Sequence, residues 1–227
     1  MVLYNSNDVH IIDNTISQSD EGSGIAIISS FSPRAIVENN VISGNELDGI
    51  GIQSSDNNYF GNNSISSNDR YDLHFFSGTT GSTARNTTFT TINVASGSDL
   101  TTIELFILAV KDASGNNMSG IDIKVVENTT QKYASSYFGG SDPKTDSYGT
   151  IETFLINHEI YDGSSTPTTI PTYVTARSHD WVETFTSDPT STIQITVPDL
   201  RVQNTRTGTL TYHIQTALDA SISGDTI

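Results

Sequence analysis

The chain has no cysteine in its 227 residues, so no disulfide staples it and its stability has to come from buried core. That absence does not by itself place a compartment. Cations are scarce: Lys and Arg total 10 against 26 Asp and Glu, a net charge of −16. Phosphate binding needs clustered cations, so this balance argues against nucleic acid, and equally against an anionic membrane surface. It fits a soluble, self-repelling surface protein or one that meets divalent cations. Long apolar runs are missing too. The stretch 103–110 is too short to span a bilayer, no membrane insertion is expected, and no signal peptide opens the sequence. Only 34% of residues are hydrophobic, while Ser, Thr, Asn and Gly abound, a composition that suits β-structure rich in turns.

What the first part contains is a repeated phrase. It reads Ile11-Ile12-Asp13-Asn14-Thr15-Ile16-Ser17, then Val37-Glu38-Asn39-Asn40-Val41-Ile42-Ser43, then Phe60-Gly61-Asn62-Asn63-Ser64-Ile65-Ser66, with a weaker copy at Asn86–Phe89. Ile16, Ile42, Ile65 and Phe89 are spaced by 26, 23 and 24 residues. Between the copies lie Gly24-Ile25-Ala26-Ile27, Gly49-Ile50-Gly51-Ile52 and Asp72-Leu73-His74-Phe75. A fixed period in the twenties, with apolar residues alternating at period 2, marks a β-solenoid whose phrases must stack to bury themselves. Asn14, Asn40 and Asn63 share one turn position. Asn tolerates a left-handed turn, and in a stack each amide can bond to the Asn above and below.

The pattern Ile42-Ser43-Gly44-Asn45 followed by Gly49 to Ile52 resembles right-handed parallel β-helix repeats of the NosD-type and pectin-lyase-like, polysaccharide-processing families, found in many surface proteins. The resemblance implies a right-handed parallel β-helix over 1–95 and says little about activity. It raises copper, which wants clustered His, Met or Cys; His10 and His74 are isolated, only two Met are present, and copper is not expected.

From Leu100 the period changes. Strands are expected over 102–110, 121–125, 132–138, 150–156, 172–177, 181–185 and 192–197, which together read as a β-sandwich over 100–199. Val110-Lys111-Asp112, Met118 to Ile123 and Lys144 to Thr150 resemble carboxypeptidase-regulatory-like, Ig-like modules, which implies a module that spaces or binds. The tail, 200–227, carries His213 to Ala220 and Gly224-Asp225-Thr226-Ile227, and resembles the opening segment of another parallel β-helix. The expected fold class is all-β: right-handed parallel β-helix coils, an Ig-like β-sandwich, then the start of a further β-helix. Ile214, Leu218 and Ile227 are the expected assembly residues, meeting the head of the next copy or repeat in a polymer.

Candidate sites are sparse. Asp20 and Glu21, Glu46 and Asp48, and Asp69 and Asp72 fall in one turn of successive coils. Stacking sets like charges about 5 Å apart, which calls for water or a cation. The expected reading is a solvated acidic ridge partly offset by Arg70, with no cofactor; the alternative is calcium, which favours such oxygen clusters. Sequons at Asn62, Asn86, Asn117 and Asn128 are compatible with a glycosylated exterior, although a chain this rich in Asn, Ser and Thr also supplies them by chance. Enzymes on this fold spread a groove over many coils. Here about three and a half coils hold Arg34, Arg70 and Arg85 as their only cations, so no catalysis is expected. The expected role is a structural segment of a modular extracellular protein at the cell surface, in a layer, sheath, fibre or adhesive filament. The alternative is a carbohydrate-binding module meeting surface glycans through Tyr133, Tyr137, Phe138 and Trp181, although Phe138 and Trp181 suit a core better.

Overall fold

The computed structural model describes residues 1–4, 9–28, 34–179 and 181–198, and the backbone of Val202–Gln203 and Leu210–Thr211. The assembly residues expected at Ile214, Leu218 and Ile227 lie outside the described residues.

Short strands recur in threes. β1 (Val2–Tyr4), β2 (Val9–Ile12) and β3 (Thr15–Ser17) form a first coil; β4 (Ile25–Ile28), β5 (Ala35–Glu38) and β6 (Val41–Ser43) a second. β7 (Asp48–Gln53), β8 (Tyr59–Gly61) and β9 (Ser64–Ser66) form a third. A fourth has β10 (Tyr71–Phe75) and β11 (Ser82–Arg85), with Thr88 bridging to Ser64, and a last turn has β12 (Ile92–Val94) and β13 (Asp99–Phe106). Like positions pair in parallel: β1-β4-β7-β10-β12 on one side, β2-β5-β8-β11-β13 on the second, β3-β6-β9 on the third. This is the coiled, all-parallel β-helix that the repeat implied. Its register is also as expected, with Ile25 on Ile50 on Leu73 and Ile16 on Ile42 on Ile65.

Alternation then decides what is buried. Ile25, Ile50, Leu73, Val37, Phe60, Ile42 and Ile65 fill the inside, and Phe60 meets Phe75 edge-on at 5.9 Å. Gly49 has to be glycine, because a Cβ there would lie 2.5 Å from Ile65 Cγ2 and 2.7 Å from the Asp72 carbonyl oxygen.

The Asn ladder forms, with one correction. The left-handed residues are the preceding ones, Asp13, Asn39, Asn62 and Asn86, with φ of 59°, 57°, 53° and 47°. That turn swings the following Asn inward. Asn14 Nδ2 donates to Asn40 Oδ1 at 3.2 Å, Asn40 Nδ2 to Asn63 Oδ1 at 3.0 Å, and Asn63 Nδ2 to Thr87 Oγ1 at 3.4 Å. Asn40 and Asn63 are buried, so each unpaired amide would cost about 1–3 kcal/mol. Asn45 repeats the device at another corner, donating to Asn68 Oδ1 at 2.8 Å.

The domain boundaries differ from those expected. The chain divides into unit 1, Met1–Glu104 with Asn157–Ile170, and unit 2, Leu105–Ile156 with the described residues from Pro171. The segment placed within 100–199 by its sequence thus returns in part to the coils. β17 (Phe154–Asp162) and β18 (Thr168–Thr169) extend the second sheet beyond β13 as an antiparallel hairpin. Tyr161 enters the unit 1 core beside Phe89, centroids 6.1 Å apart, and Glu159 N–H donates to Thr102 Oγ1 at 3.1 Å. A stack that ends on a bare parallel edge exposes both core and unpaired amides; the hairpin covers them.

Unit 2 has β14 (Leu108–Asp112) parallel to β21 (Ile193–Val197), and an antiparallel sheet ordered β16-β15-β19-β20. The latter comprises β15 (Asp122–Glu127), β16 (Thr130–Ala134), β19 (Thr172–Ser178) and β20 (Trp181–Ser187). Phe106, Leu108, Val110, Ile123, Val125, Val174 and Ile195 form its core. Two expectations shift here. The strand expected over 102–110 breaks into β13 and β14, and the one expected over 150–156 starts only at Phe154.

Ile42→Asp and Ile50→Asp each place a lone charge in a fully buried position and should cost about 4 kcal/mol or more in denaturant unfolding. Glu46→Ala, on the exposed turn, should be silent within about 0.5 kcal/mol. An unchanged melting curve for Ile50→Asp would refute the coil register.

Candidate functional site

The outer face of the first sheet of unit 1 carries a cluster of polar side chains. Ala26, Gly51, His74 and Asn93 occupy one outward column, each paired with the next in register. Small residues at 26 and 51 leave a hollow of about 170 Å³ lined by Ser23, Ala26, Ile28, Gly51, Gln53 and Phe76.

Beside it a buried ion pair forms. Asp48, at 0% side-chain exposure, accepts Arg70 Nε at 2.8 Å and a second, closer contact from Arg70 Nη2, a bidentate fork. Asp48 also lies 3.2 Å from His74 Nδ1, while Asn93 Nδ2 lies 3.0 Å from His74 Nε2. This pairing fits a neutral imidazole that donates from Nδ1 and accepts at Nε2. The ring stacks on Phe76 at 3.8 Å, and Tyr71 meets it edge-on at 5.1 Å. Burial pushes the His74 imidazole below its ordinary value; Asp48 pulls the other way, and the Arg70 charge adds to the lowering. The Asp48 bond holds the Arg70 guanidinium above its usual range. Because both His74 nitrogens are engaged, the arrangement orients and neutralises a buried carboxylate rather than presenting a free base.

Between the inward Leu73 and Phe75, His74 points outward as period 2 requires, yet it is not exposed. Phe76 and Tyr71 close over it and leave it 7% exposed. A large apolar residue at the outward position 76, two along from His74, was the signal for that cover.

The six acidic residues are not brought together as one ridge. Asp48 belongs to the cluster just described. Asp72 is buried and accepts Asn68 Nδ2 at 2.9 Å, Thr90 N–H at 2.8 Å and Thr90 Oγ1 at 2.7 Å. Burial pushes the Asp72 carboxyl up, but the bonds from Thr90, Asn68 and Thr91 outweigh it and hold it below the usual range. Asp20, Glu21, Glu46 and Asp69 stay exposed, with Glu46 accepting the Glu21 N–H. Among the described residues, no three His, Asp or Glu side chains converge to hold a metal ion. All four sequon asparagines are exposed; Asn62 and Asn86 form an outward ladder with Asn39, each step 3.2 Å.

In unit 2 the aromatic set separates. Tyr133 is buried, donates to the Pro143 carbonyl and stacks near Phe154; burial, aided by the Asp142 and Glu152 charges, pushes its phenol up to about 12. Trp181 packs on the unit 2 core. Tyr133 is therefore not a surface ligand-binding ring as expected, whereas Tyr137 remains open to solvent. A second charged group missed by sequence reading surrounds Asp122. This outward residue of β15 is 2% exposed and accepts Ser135 Oγ at 2.9 Å, Lys144 Nζ at 3.0 Å and Arg177 Nη1 at 3.3 Å. Burial pushes its carboxyl up, but these three partners hold it lower still than the usual range.

Residues 1–105 match the family model described as periplasmic copper-binding protein (NosD), a span that coincides with the coils down to β13. No curated protein and no solved structure matches the chain. Among the described residues of the matched span the donors do not fit a copper centre of the kind that description implies: His10 is exposed and His74 is bonded on both sides to Asp48 and Asn93.

Acid should loosen this cluster. Neutral His74 is favoured in the folded state, while the unfolded chain takes up its proton at about pH 6.5, so this contribution is full above that pH and is lost as pH falls below it. Arg70→Ala leaves Asp48 buried beside His74 alone and should cost roughly 3 kcal/mol, the lower end for a broken buried pair because Arg70 is 41% exposed. In that variant the Arg70 contribution to the lowering is gone, so the loss of stability on acidification below about pH 6.5 should be smaller than in the parent chain. Chemical denaturation between pH 5 and pH 8 reads both.

Proposed function

We propose that the chain is a structural, non-catalytic segment of a modular extracellular protein that builds a surface layer, sheath, fibre or adhesive filament. One observation carries the reading: the buried polar side chains of the coils are consumed in holding coil to coil. Asn40, Asn45 and Asn63 each bond to their counterpart in the next coil, and Asp72 ties the fourth coil to Thr90 and Thr91. A polar interior arranged this way stiffens a stack and resists sliding between rungs. The acidic exterior, the exposed sequons and the similarity to a family described as periplasmic support a place outside the cytoplasm. No helix among the described residues is long and apolar enough to cross a membrane.

Joining is the second half of the proposal. On the first coil Val2 and Ile12 are exposed, and a hollow of about 380 Å³ is lined by Met1, His10, Ile11, Asn14 and Ile16. The segment 211–227, with Ile214, Leu218 and Ile227, is the matching element of a neighbouring copy or repeat. Such a heterologous contact propagates. Sedimentation velocity and negative-stain electron microscopy of the full chain at rising concentration should show end-to-end chains, which removal of 212–227 abolishes. A full chain that stays monomeric to millimolar concentration would sink the joining.

A further inference from the structure

An exposed tyrosine on a short turn ordinarily samples several rotamers. Tyr137 is held. It sits in the single 3₁₀ turn Ser136–Phe138, closed by Gly139 in the left-handed conformation at φ 81°. Phe138 meets its ring edge-on at 5.0 Å, and the Arg177 guanidinium lies 3.8 Å from the ring centre. Arg177 is in turn fixed by the buried Asp122, which Ser135 and Lys144 also grip. The ring plane is thus set by a chain of contacts that ends on a carboxylate inside the protein, and yet the ring stays 53% exposed.

Its neighbours on the outer face of the β16-β15-β19-β20 sheet are mostly donors. Lys144 is 47% exposed along its side chain, Arg177 28%, and Lys124 projects from β15 opposite Thr175. The Thr175 and Thr184 hydroxyls face each other at 2.9 Å on the same side. A fixed apolar ring bordered by N–H and O–H groups complements a ligand that has one flat C–H face and many oxygen acceptors at its edge. Nucleobases also stack on such rings, but a nucleic acid brings phosphates to a chain of net charge −16.

We infer that Tyr137 is the stacking platform of a saccharide-binding site on unit 2, with a pyranose lying on the ring face opposite the Arg177 guanidinium and its oxygens accepting hydrogen bonds at the ring's rim from Lys144 and Arg177. This site is independent of the joining of copies. Asp122 and Ser135 act in it as positioning residues, since they reach the ligand only through Arg177 and Lys144.

The test uses the full chain on an array of neutral and uronate-bearing oligosaccharides, followed by titration of the best binder by calorimetry. Saccharide binding should appear. Tyr137→Ala should weaken it about tenfold or more, while Tyr137→Phe, which keeps the ring, should stay within about threefold. Ring-proton shifts of Tyr137 on adding saccharide to the unaltered chain give a second readout that does not depend on any variant folding. Preference for uronates over neutral sugars would assign the contact to carboxylate with Lys144 and Arg177; the reverse preference would assign it to stacking and hydroxyls. Either preference supports the site. Absence of binding across the array at millimolar saccharide, or unchanged affinity in Tyr137→Ala, would overturn it.

Discussion

Strands that are mostly three or four residues long cannot stand by themselves, so the coils depend on one constraint: every rung must lie in register on the next. A slip by one residue would turn Ile25, Ile50 and Leu73 outward and bring Ala26, Gly51 and His74 in. The buried amides of Asn40 and Asn63 help fix that register at a corner, because their bonds to side chains and carbonyls of neighbouring coils form only in this alignment. Apolar packing supplies most of the stabilisation, and the polar ladder decides which of the near-equivalent packings is adopted. The outer cluster of Asp48, Arg70 and His74 follows from the same alignment, since stacking brings residues 22 and 26 positions apart to within bonding distance.

Much of this was legible because a repeat states its own geometry. The recurrence of Ile16, Ile42 and Ile65 fixed the period, and alternation fixed the faces. What escaped were features that depend on cover rather than direction. His74 points away from the core yet is shut in by Phe76, a cover marked in the sequence only by a second outward apolar residue. Asp122 alternates outward in Ile121-Asp122-Ile123, but its burial comes from Lys144 and Arg177, 22 and 55 residues away. The acidic ridge failed for a related reason. Residues that share a turn in sequence, such as Asp69 and Asp72, point to different surroundings once the chain bends between them.

The boundary after Glu104 lies close to the expected one; what was misplaced is 157–170, whose strand-and-turn pattern fits a sandwich of about seven strands. Its actual partner is the coil stack, a contact with no local signature.

That return has a consequence for how the molecule comes into being. Glu159 reaches back 57 residues to Thr102, and Ser165 reaches back 72 to Asn93. As the chain leaves a ribosome, the coils are made first and their final layer is supplied only after unit 2 has begun to emerge. Until then Phe89 and the β13 edge have nothing over them, so the interval of synthesis between Glu104 and Asn157 is when nascent coils are most prone to pair with the wrong strand. The same arrangement means that a fragment ending at Glu104 is not a whole unit. An expression fragment of the coils needs 157–170 supplied, in line or in trans, to be whole.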